Sequence, residues 1–357
     1  MPIFFKFFQA GCGDAIQISF EGNSGLTRHI LIDGGFQLTY TAQLQKILRD
    51  MPESEFIDLW IVTHLDNDHI GSVYAHFKDK SIRPGKLLIN RLWFNCVDRM
   101  EFPNHSTKAG IASGVGLRDL LTVERCPEVV NDVTTKNEAK EIDGVTITVL
   151  SPDKITYQAL QEDWEKQEKA YWEKKTKSKT ADDEPSLLND DALDIAELAD
   201  RKDIAEDETD IANRSSIAVL LEHKEISALF LGDAHPSIII HSIKALNEKR
   251  GVKLKVDYIK IAHHASKHNF NAGLLDEVDC QNFIVLSKGE SCQGLPNKET
   301  LAKIIVKRKE RGKTNIFFNY DQDRFRKMFS IENESEYEFE CFFPKENENF
   351  LRIGDAF

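Results

Sequence analysis

Apolar and polar residues follow two periods along this chain, and together they set out its elements. Ile3-Phe4-Phe5-Lys6-Phe7-Phe8 is an apolar run weighted with aromatics and predicts a first strand. Gly11-Cys12-Gly13-Asp14 breaks it, and Ala15-Ile16-Gln17-Ile18-Ser19-Phe20 alternates as a second. A loop rich in Gly, Asn and Ser over 21–25 leads into a third strand that closes on Asp33-Gly34-Gly35. Residues 41–51 place Leu44, Ile47 and Leu48 on one face of a short helix. Residues 56–62 form a continuous apolar run that predicts a buried strand, and a helix begins near Ile70. One or two strands are expected within 86–95, a loop and then a helix from Gly110, and a clean alternating strand over 145–150. Later strands are predicted near 217–221, 226–231, 256–262, 283–287 and 315–318, with an edge strand over 337–343. Helices are predicted over 238–249 and 298–311, the second markedly basic.

The pattern changes over 154–212. Tyr157, Leu160, Trp164 and Tyr171 lie on a helical stripe in an otherwise Glu/Lys-rich sequence, and an acidic, weakly apolar stretch follows from Asp182 to Asp210. This predicts an acidic helical insertion into one domain spanning 1–357, with 331–357 as a C-terminal extension carrying the edge strand. A lid, a partner surface or a solvated loop would each suit the insertion. The formal net charge of −13 and 41% hydrophobic content describe an ordinary globular chain, and argue mildly against a general nucleic-acid coat. No run reaches the roughly 18 apolar residues a membrane span needs, and the first residues lack the basic region of a signal peptide. Six cysteines without a Cys-x-x-Cys pair read as reduced thiols in a cytoplasmic protein.

The chemistry concentrates in Thr63-His64-Leu65-Asp66-Asn67-Asp68-His69-Ile70-Gly71. Four side chains that ligate divalent metals occur there at i, i+2, i+4 and i+5, on the loop between the buried strand and the next helix. Open α/β folds place their sites at such carboxyl ends of strands. Helix capping accounts for one aspartate, perhaps Asp68, but gives no reason for two histidines and a second aspartate at this spacing.

His-x-Asp-x-Asp-His after an apolar strand resembles the metal motif of metallo-β-lactamase fold hydrolases. The Asp in second place, followed by Ile-Gly, is similar to the hydrolase domain of the competence protein ComEC and its stand-alone relatives. The Gly-x-Gly-Asp turn, the Asp-Gly-Gly strand end, Gly232-Asp233, and His263-His264-Ala265-Ser266 (for His-His-Gly-Ser) occur in matching order over roughly residues 3–320. The resemblance implies an α/β fold, a four-layer αβ/βα sandwich of two mixed sheets with metals at the sheet edge. It also implies two divalent ions. His64 and Asp66 would hold the first, Asp68, His69 and His264 the second, and Asp233 would bridge them. His264 is favoured over His263 as the ligand because the family's ligating His immediately precedes the small residue. His263 would then be a further ligand, a general acid or a structural donor. Asp33 and Asp14 would support the loop from behind, and Asp68 would also accept a hydrogen bond from the nucleophile.

This chain departs from the family at two positions. The histidine usually found between the first motif and the bridging Asp is absent, the strand ending in Ser151-Pro152-Asp153. Asp153, Asn213, water or His105 are candidates for that place, although His105 is better read as a surface loop residue. Gly294-Leu295-Pro296 replaces the family's Gly-His-Pro. Asp in place of one His makes the ligand set richer in oxygen, tilting it from zinc toward manganese or magnesium. The resemblance implies hydrolysis of phosphodiesters (DNA, RNA or a nucleotide), in a setting such as bacterial defence where a protein partner is plausible. Asn213, Ser216, Ser266 and Lys267 are the candidate substrate contacts, and the basic run Lys303–Arg311 with Arg324, Arg326 and Lys327 a candidate backbone track. A solvated helix face explains that run better. Two readings compete with phosphodiesterase: an ester or lactone hydrolase of the same fold, and a partner-binding module with a structural metal site.

Overall fold

The computed structural model describes residues 3–82, 88–97, 111–121, 127–173, 190–224, 226–289, 292 and 294–354. Its strands form two mixed sheets. The first has the order β17-β1-β2-β3-β4-β5-β6, where β1 is Ile3–Phe8, β2 Ala15–Glu21, β3 Thr27–Asp33, β4 Ile57–Val62, β5 Arg91–Phe94, β6 Glu128–Val130 and β17 Phe350–Gly354. Pairing is antiparallel from β17 to β3 and parallel from β3 to β6.

The second sheet runs β16-β15-β14-β12-β10-β9-β8-β7. Here β7 is Lys140–Ile142, β8 Val145–Ser151, β9 Ala218–His223, β10 Ile226–Phe230, β12 Tyr258–Lys260, β14 Asn282–Val285, β15 Thr314–Phe318 and β16 Phe339–Phe342. It is antiparallel from β7 to β10 and parallel from β10 to β16. A small ribbon pairs β11 (Leu254–Lys255) with β13 (Val278–Asp279).

The alternation in the sequence decides which side chains fill which layer. On β2, Ile16, Ile18 and Phe20 enter the core between the sheets with Phe5, Phe7, Val219 and Phe230. Leu31, Trp60 and Val62 face outward and pack under helices with Leu48, Ile70 and Val73. Leu220, Leu229 and Ile259 do the same on the second sheet against Ile239, Ile243 and Leu301. Helix, sheet, sheet and helix thus make the expected four layers. Within them the short helix predicted over 41–51 extends over 37–50, π-helical across Tyr40–Leu44.

The chain's end supplies edges to both sheets. β16 is the predicted edge strand, preceded by a helix over Ile331–Tyr337 that takes the first residue assigned to it. β17, which the pattern did not reveal, closes the first sheet against β1. The expectation of reduced thiols is corrected at one pair: Cys12 and Cys292 form a disulfide with Cα atoms 5.3 Å apart. A separation of 280 residues carries no sequence signal, and only the fold sets the Gly-Cys-Gly turn against the later loop. Cys96, Cys280 and Cys341 are not in disulfides, and Cys126 lies outside the described residues. No helix among the described residues is long and apolar enough to cross a membrane.

The insertion begins with the helix Lys154–Glu173, on which Trp164 is buried in the outer core of the first sheet. Its indole N–H donates to Glu168, and Glu168 is paired with Arg118 of the helix Ile111–Leu120. Trp164→Ala should therefore lower stability by about 3–5 kcal/mol, as expected for a large aromatic truncated in a core. Urea unfolding followed by circular dichroism measures this, and a loss under 1 kcal/mol would mean that the helix is not docked as described.

Candidate metal centre

Two pairs of parallel strands, one in each sheet, bring their carboxyl ends to one place: β3 ends at Asp33 and β4 leads to Thr63–His69, while β10 leads to Asp233 and β12 to His263-His264. Asp66 occupies the cap position of the helix Asn67–Lys78, yet its side chain makes no capping hydrogen bond, and Asp68 lies in the first turn. Capping therefore accounts for neither carboxylate. His263, His264 and Ala265 all have positive φ (45°, 53° and 63°), an unusual run for residues other than glycine and one that stores backbone strain.

Asp233 is the hub. Its Oδ2 lies 3.4 Å from His69 Nε2, 3.8 Å from His264 Nε2, and 3.9 Å from both His64 Nε2 and His263 Nε2. Asp68 Oδ2 is 3.7 Å from His69 Nε2 and 3.6 Å from His264 Nε2, and Asp66 Oδ2 is 3.6 Å from His64 Nε2. Two of the groupings compact enough to hold an ion are His64, His69 and Asp233, and Asp68, His69 and His264. Asp66 is half-exposed and His263 sits at the mouth, so both flank these groupings.

Each imidazole is held by its other nitrogen, which decides what Nε2 can do. His69 Nδ1 donates to Asp33 at 2.7 Å, and His264 Nδ1 donates to the Leu286 carbonyl at 2.8 Å. His64 Nδ1 lies 3.0 Å from Thr63 Oγ1, whose own proton goes to Asp33 at 2.7 Å, so Nδ1 is the donor there. Asn269 Nδ2 donates to the Asp233 carbonyl at 3.0 Å, which turns Asn269 Oδ1 to accept from His263 Nδ1 at 2.8 Å. In the neutral rings every Nε2 therefore presents a lone pair toward Asp233. The Nε2 atoms of His64, His69 and His264 are buried with no hydrogen-bond partner, as is Asp233 Oδ1. Orphaned lone pairs converging with carboxylates are what a divalent cation satisfies, so these residues fit the metals that the resemblance implies.

Burial disfavours charge on Asp68, but the neighbouring His69 and His264 outweigh it and hold Asp68 down at about 2. Burial likewise opposes charge on His69, yet Asp233, Asp33 and Asp68 raise it well above the usual range. Burial also opposes ionised Asp233, and His69, His263 and His264 bring it well below the carboxylate range. His64 is raised by Asp66 and Asp233 against burial and the neighbouring His69, and burial pushes His263 down.

Among the residues behind the cluster, Lys260 carried no sequence signal, whereas Asp14, the Gly-x-Gly-Asp turn and Ser216 did. Lys260 is fully buried: it is paired with Asp14, donates to the Gly232 carbonyl at 3.0 Å, and lies 3.9 Å from Asp233 Oδ1. The alternating apolar strand around it gave no sign of a buried ammonium. Asp14 also lies 3.4 Å from His264 Nδ1, as a residue behind the ligands should. Gly13 packs so closely that a Cβ there would fall on the Asp68 carbonyl. Ser216 Oγ accepts from the Asp233 backbone N–H at 3.1 Å and lies 3.4 Å from His64 Nδ1, so it positions two cluster residues.

Other candidates are placed elsewhere. Asp153 caps its helix through Thr156 N–H, and Asn213 Nδ2 donates to Asp210. Ser266 Oγ accepts from the His268 backbone, and Lys267 Nζ lies 3.7 Å from Asp190. His105 lies outside the described residues. The basic run is spent on ion pairs: Lys303 with Asp203 and Glu299, Lys307 and Arg311 with Asp276, Arg308 with Asp279, Lys309 with Glu336, Arg324 with Asp191, Arg326 with Asp321 and Lys327 with Asp323. Arg324 also donates to the carbonyls of Gly294, Leu295 and Pro296, so it braces the loop where the family has Gly-His-Pro.

Metal uptake should rise with pH. The raised pKa of His69 means that a bound proton must leave before Nε2 can ligate, so apparent affinity should grow by about tenfold per pH unit for each proton displaced. Competition against a fluorescent chelator between pH 6 and 8 reads this directly, and a flat profile would contradict it. Lys260→Met should leave Asp14 buried without a partner and cost about 3–5 kcal/mol. Asp14→Asn combined with Lys260→Met should recover part of that loss in the same urea titration.

No family model matches the chain, and no curated protein matches it. Among solved structures it is similar to the metallo-β-lactamase fold protein YhfI from Bacillus subtilis, at 11% identity and a TM-score of 0.45 over 99% of this chain and 100% of that one. It is also similar to Zn²⁺-bound PqqB from Methylobacterium extorquens, at 9% identity and a TM-score of 0.43 over 98% and 99% of the two chains. A diphosphatase of the PhnP family follows at 12% identity, a TM-score of 0.38, and 84% and 90% coverage. Scores at this level carry no argument about activity, and the chain's own strand order and cluster geometry are what describe it.

Proposed function

We propose that this chain is a metal-dependent hydrolase of phosphodiesters, of the ComEC type within the metallo-β-lactamase fold. The observation that carries the reading is the set of unpartnered Nε2 atoms directed at one buried carboxylate, each fixed by a hydrogen bond at Nδ1. Two divalent ions would be held, one by His64, Asp66 and Asp233 and the other by Asp68, His69, His264 and Asp233. Such a pair, once bound, makes hydroxide available near neutral pH and offsets charge on a phosphoryl oxygen. The mix of carboxylates and imidazoles suits manganese or zinc, with magnesium a poorer match.

This chain's own residues divide the remaining work. Asp68, ionised throughout the neutral range, accepts the hydrogen bond that orients the nucleophile. His263, whose Nε2 bears a lone pair in the tautomer Asn269 selects, would take the place at the first ion that no further histidine supplies. Asn269, Ser216, Asp33 and Lys260 hold these groups in position.

The substrate reading narrows to a small nucleotide or a short strand. A long nucleic acid needs unpaired cations along its path, and the basic helix has its cations in ion pairs with acidic neighbours. A protein partner in a bacterial defence setting is compatible with this reading and would bring its own recognition surface.

Bis-p-nitrophenyl phosphate with Mn²⁺, Mg²⁺ or Zn²⁺ is the direct assay. Turnover should be strongest with Mn²⁺ and fall by about 10²–10⁴ in Asp68→Ala at unchanged fold. Metal-loaded protein that is silent on this diester but cleaves p-nitrophenyl acetate would transfer the site to ester chemistry. Silence on both, with a stable co-purifying protein, would leave a binding module.

A further inference from the structure

The Cys12–Cys292 disulfide lies behind the metal cluster, and no step of the proposed reaction uses it. Each of its cysteines belongs to a segment that supports the residues assigned to the second ion. On one side is the turn Gly11-Cys12-Gly13-Asp14. Gly13 packs against the main chain of the metal loop, where a Cβ would fall on the Asp68 carbonyl. Asp14 is paired with Lys260 and lies 3.4 Å from His264 Nδ1.

On the other side is the loop that follows β14. It begins at Leu286, whose carbonyl accepts from His264 Nδ1 at 2.8 Å. It ends at Asn297, whose N–H donates to the Ala265 carbonyl at 3.2 Å and whose Oδ1 accepts from the Lys267 N–H at 2.8 Å. Cys292 sits between, its N–H on the Gly289 carbonyl at 2.8 Å and its carbonyl accepting from Leu295 at 2.9 Å. The loop therefore grips the turn at His263–Ala265 from both ends. Three successive positive φ values make that turn strained, and it persists only while its surroundings hold it.

The two segments meet without help from the disulfide. Lys288 N–H donates to the Gly11 carbonyl at 3.0 Å, and Gly11 N–H donates to Tyr320 Oη at 2.7 Å. Asn319 Nδ2 donates to the Phe8 carbonyl at 2.9 Å, and its Oδ1 accepts from Ser287 N–H at 3.0 Å. None of these bonds involves a sulfur, so breaking the disulfide leaves the strand ends joined. What the covalent bond adds is a fixed separation between the support of Asp68 and the support of His264. Gly11 and Gly289, both at positive φ, are the points at which each segment can turn once that bond opens.

We infer that the Cys12–Cys292 pair is a redox control on the metal centre. Oxidised, it locks Asp68 and His264 in place for the second ion; reduced, it lets them part and that ion is held more weakly. The reductant is a dithiol. Its thiolate attacks Cys12 Sγ, the sulfur of the partly exposed partner, whereas Cys292 is buried. A bond forms between that thiolate and Cys12 as the Cys12–Cys292 bond breaks, and Cys292 leaves as a thiolate and takes up a proton. The second thiol of the reductant then displaces Cys12 as a thiol, and the reductant departs as a cyclic disulfide. Two electrons pass from the dithiol to the cysteine pair. The inference rests on the metal reading of the cluster and not on the choice of phosphodiester as substrate.

Competition with a fluorescent chelator measures Mn²⁺ binding by the full chain, oxidised and after treatment with dithiothreitol. Manganese is the probe because freed thiolates would themselves attract zinc. Reduction should weaken binding about tenfold or more at unchanged circular dichroism, and reoxidation should restore it. Cys12→Ser and Cys292→Ser should each bind like the reduced chain and ignore dithiothreitol, while Cys341→Ser should behave as the parent chain does. Linkage supplies a reciprocal readout: saturating Mn²⁺ should make the disulfide harder to reduce by the same factor. Alkylation and mass spectrometry at fixed ratios of reduced to oxidised dithiothreitol measure that shift. Equal affinity of the two redox forms, tight binding by Cys292→Ser, or loss of the circular dichroism signal on reduction would make the bond a staple of the fold and overturn the inference. An oxidised chain that binds neither Mn²⁺ nor Zn²⁺ would overturn the metal reading together with it.

Discussion

Burial of the Asp233 carboxylate is the constraint on which the site and much of the surrounding fold depend. A carboxylate 2% exposed is unfavourable unless cations face it, and four imidazoles reach within 4 Å of its Oδ2. They come from two chain segments, after β4 and after β12, and Asp233 itself follows β10. The two face-packed sheets must therefore bring these strand ends together. The Ile217 N–H donated to the Thr63 carbonyl at 2.9 Å ties one sheet to the other at that point.

The same logic extends one layer outward. Asp33 accepts from Thr63 N–H, Thr63 Oγ1 and His69 Nδ1, so a single carboxylate fixes the metal loop and selects a tautomer. Lys260 and Asp14 place a buried ion pair behind Asp233 and His264, and a residue as small as glycine at position 13 lets that turn approach Asp68. The Cys12–Cys292 bond fastens the same turn to the loop on its far side. Every group holding the cluster is thus itself held, as a site requiring stable geometry needs.

The acidic insertion and the basic helix meet at a few side chains. Lys298 Nζ donates to the carbonyls of Asp191 and Leu193, Lys303 pairs with Asp203, Arg324 with Asp191 and Lys267 lies by Asp190. Ile195 and Leu198 add apolar burial against the outer core of the second sheet. Residues 190–203 therefore form a strap held by Lys298 and Lys303 of the helix over Lys298–Arg308 and by Lys267 and Arg324 outside it. Only Lys303 and Arg324 of the basic run make this contact; Lys307 and Arg311 pair with Asp276, Arg308 with Asp279 and Lys309 with Glu336.

The sequence by itself determined the succession of strands along the first half, the alternation that gives each strand its buried faces, and the metal-type stretch from His64 to His69. These are local signals, carried by residues a few positions apart. It also pointed to Asp233 and His264, through a resemblance whose motifs keep their order along the chain. Tertiary structure alone decided the rest. β17 pairs with β1 across more than 340 residues, Cys12 meets Cys292, and Lys260 becomes a buried counter-charge only where β12 passes Asp14. Gln17, Ser19 and His29 look like ordinary polar positions on exposed strand faces until a helix covers them. Periodicity records which face of an element a residue occupies; what lies against that face depends on contacts between distant segments, and no local pattern encodes those.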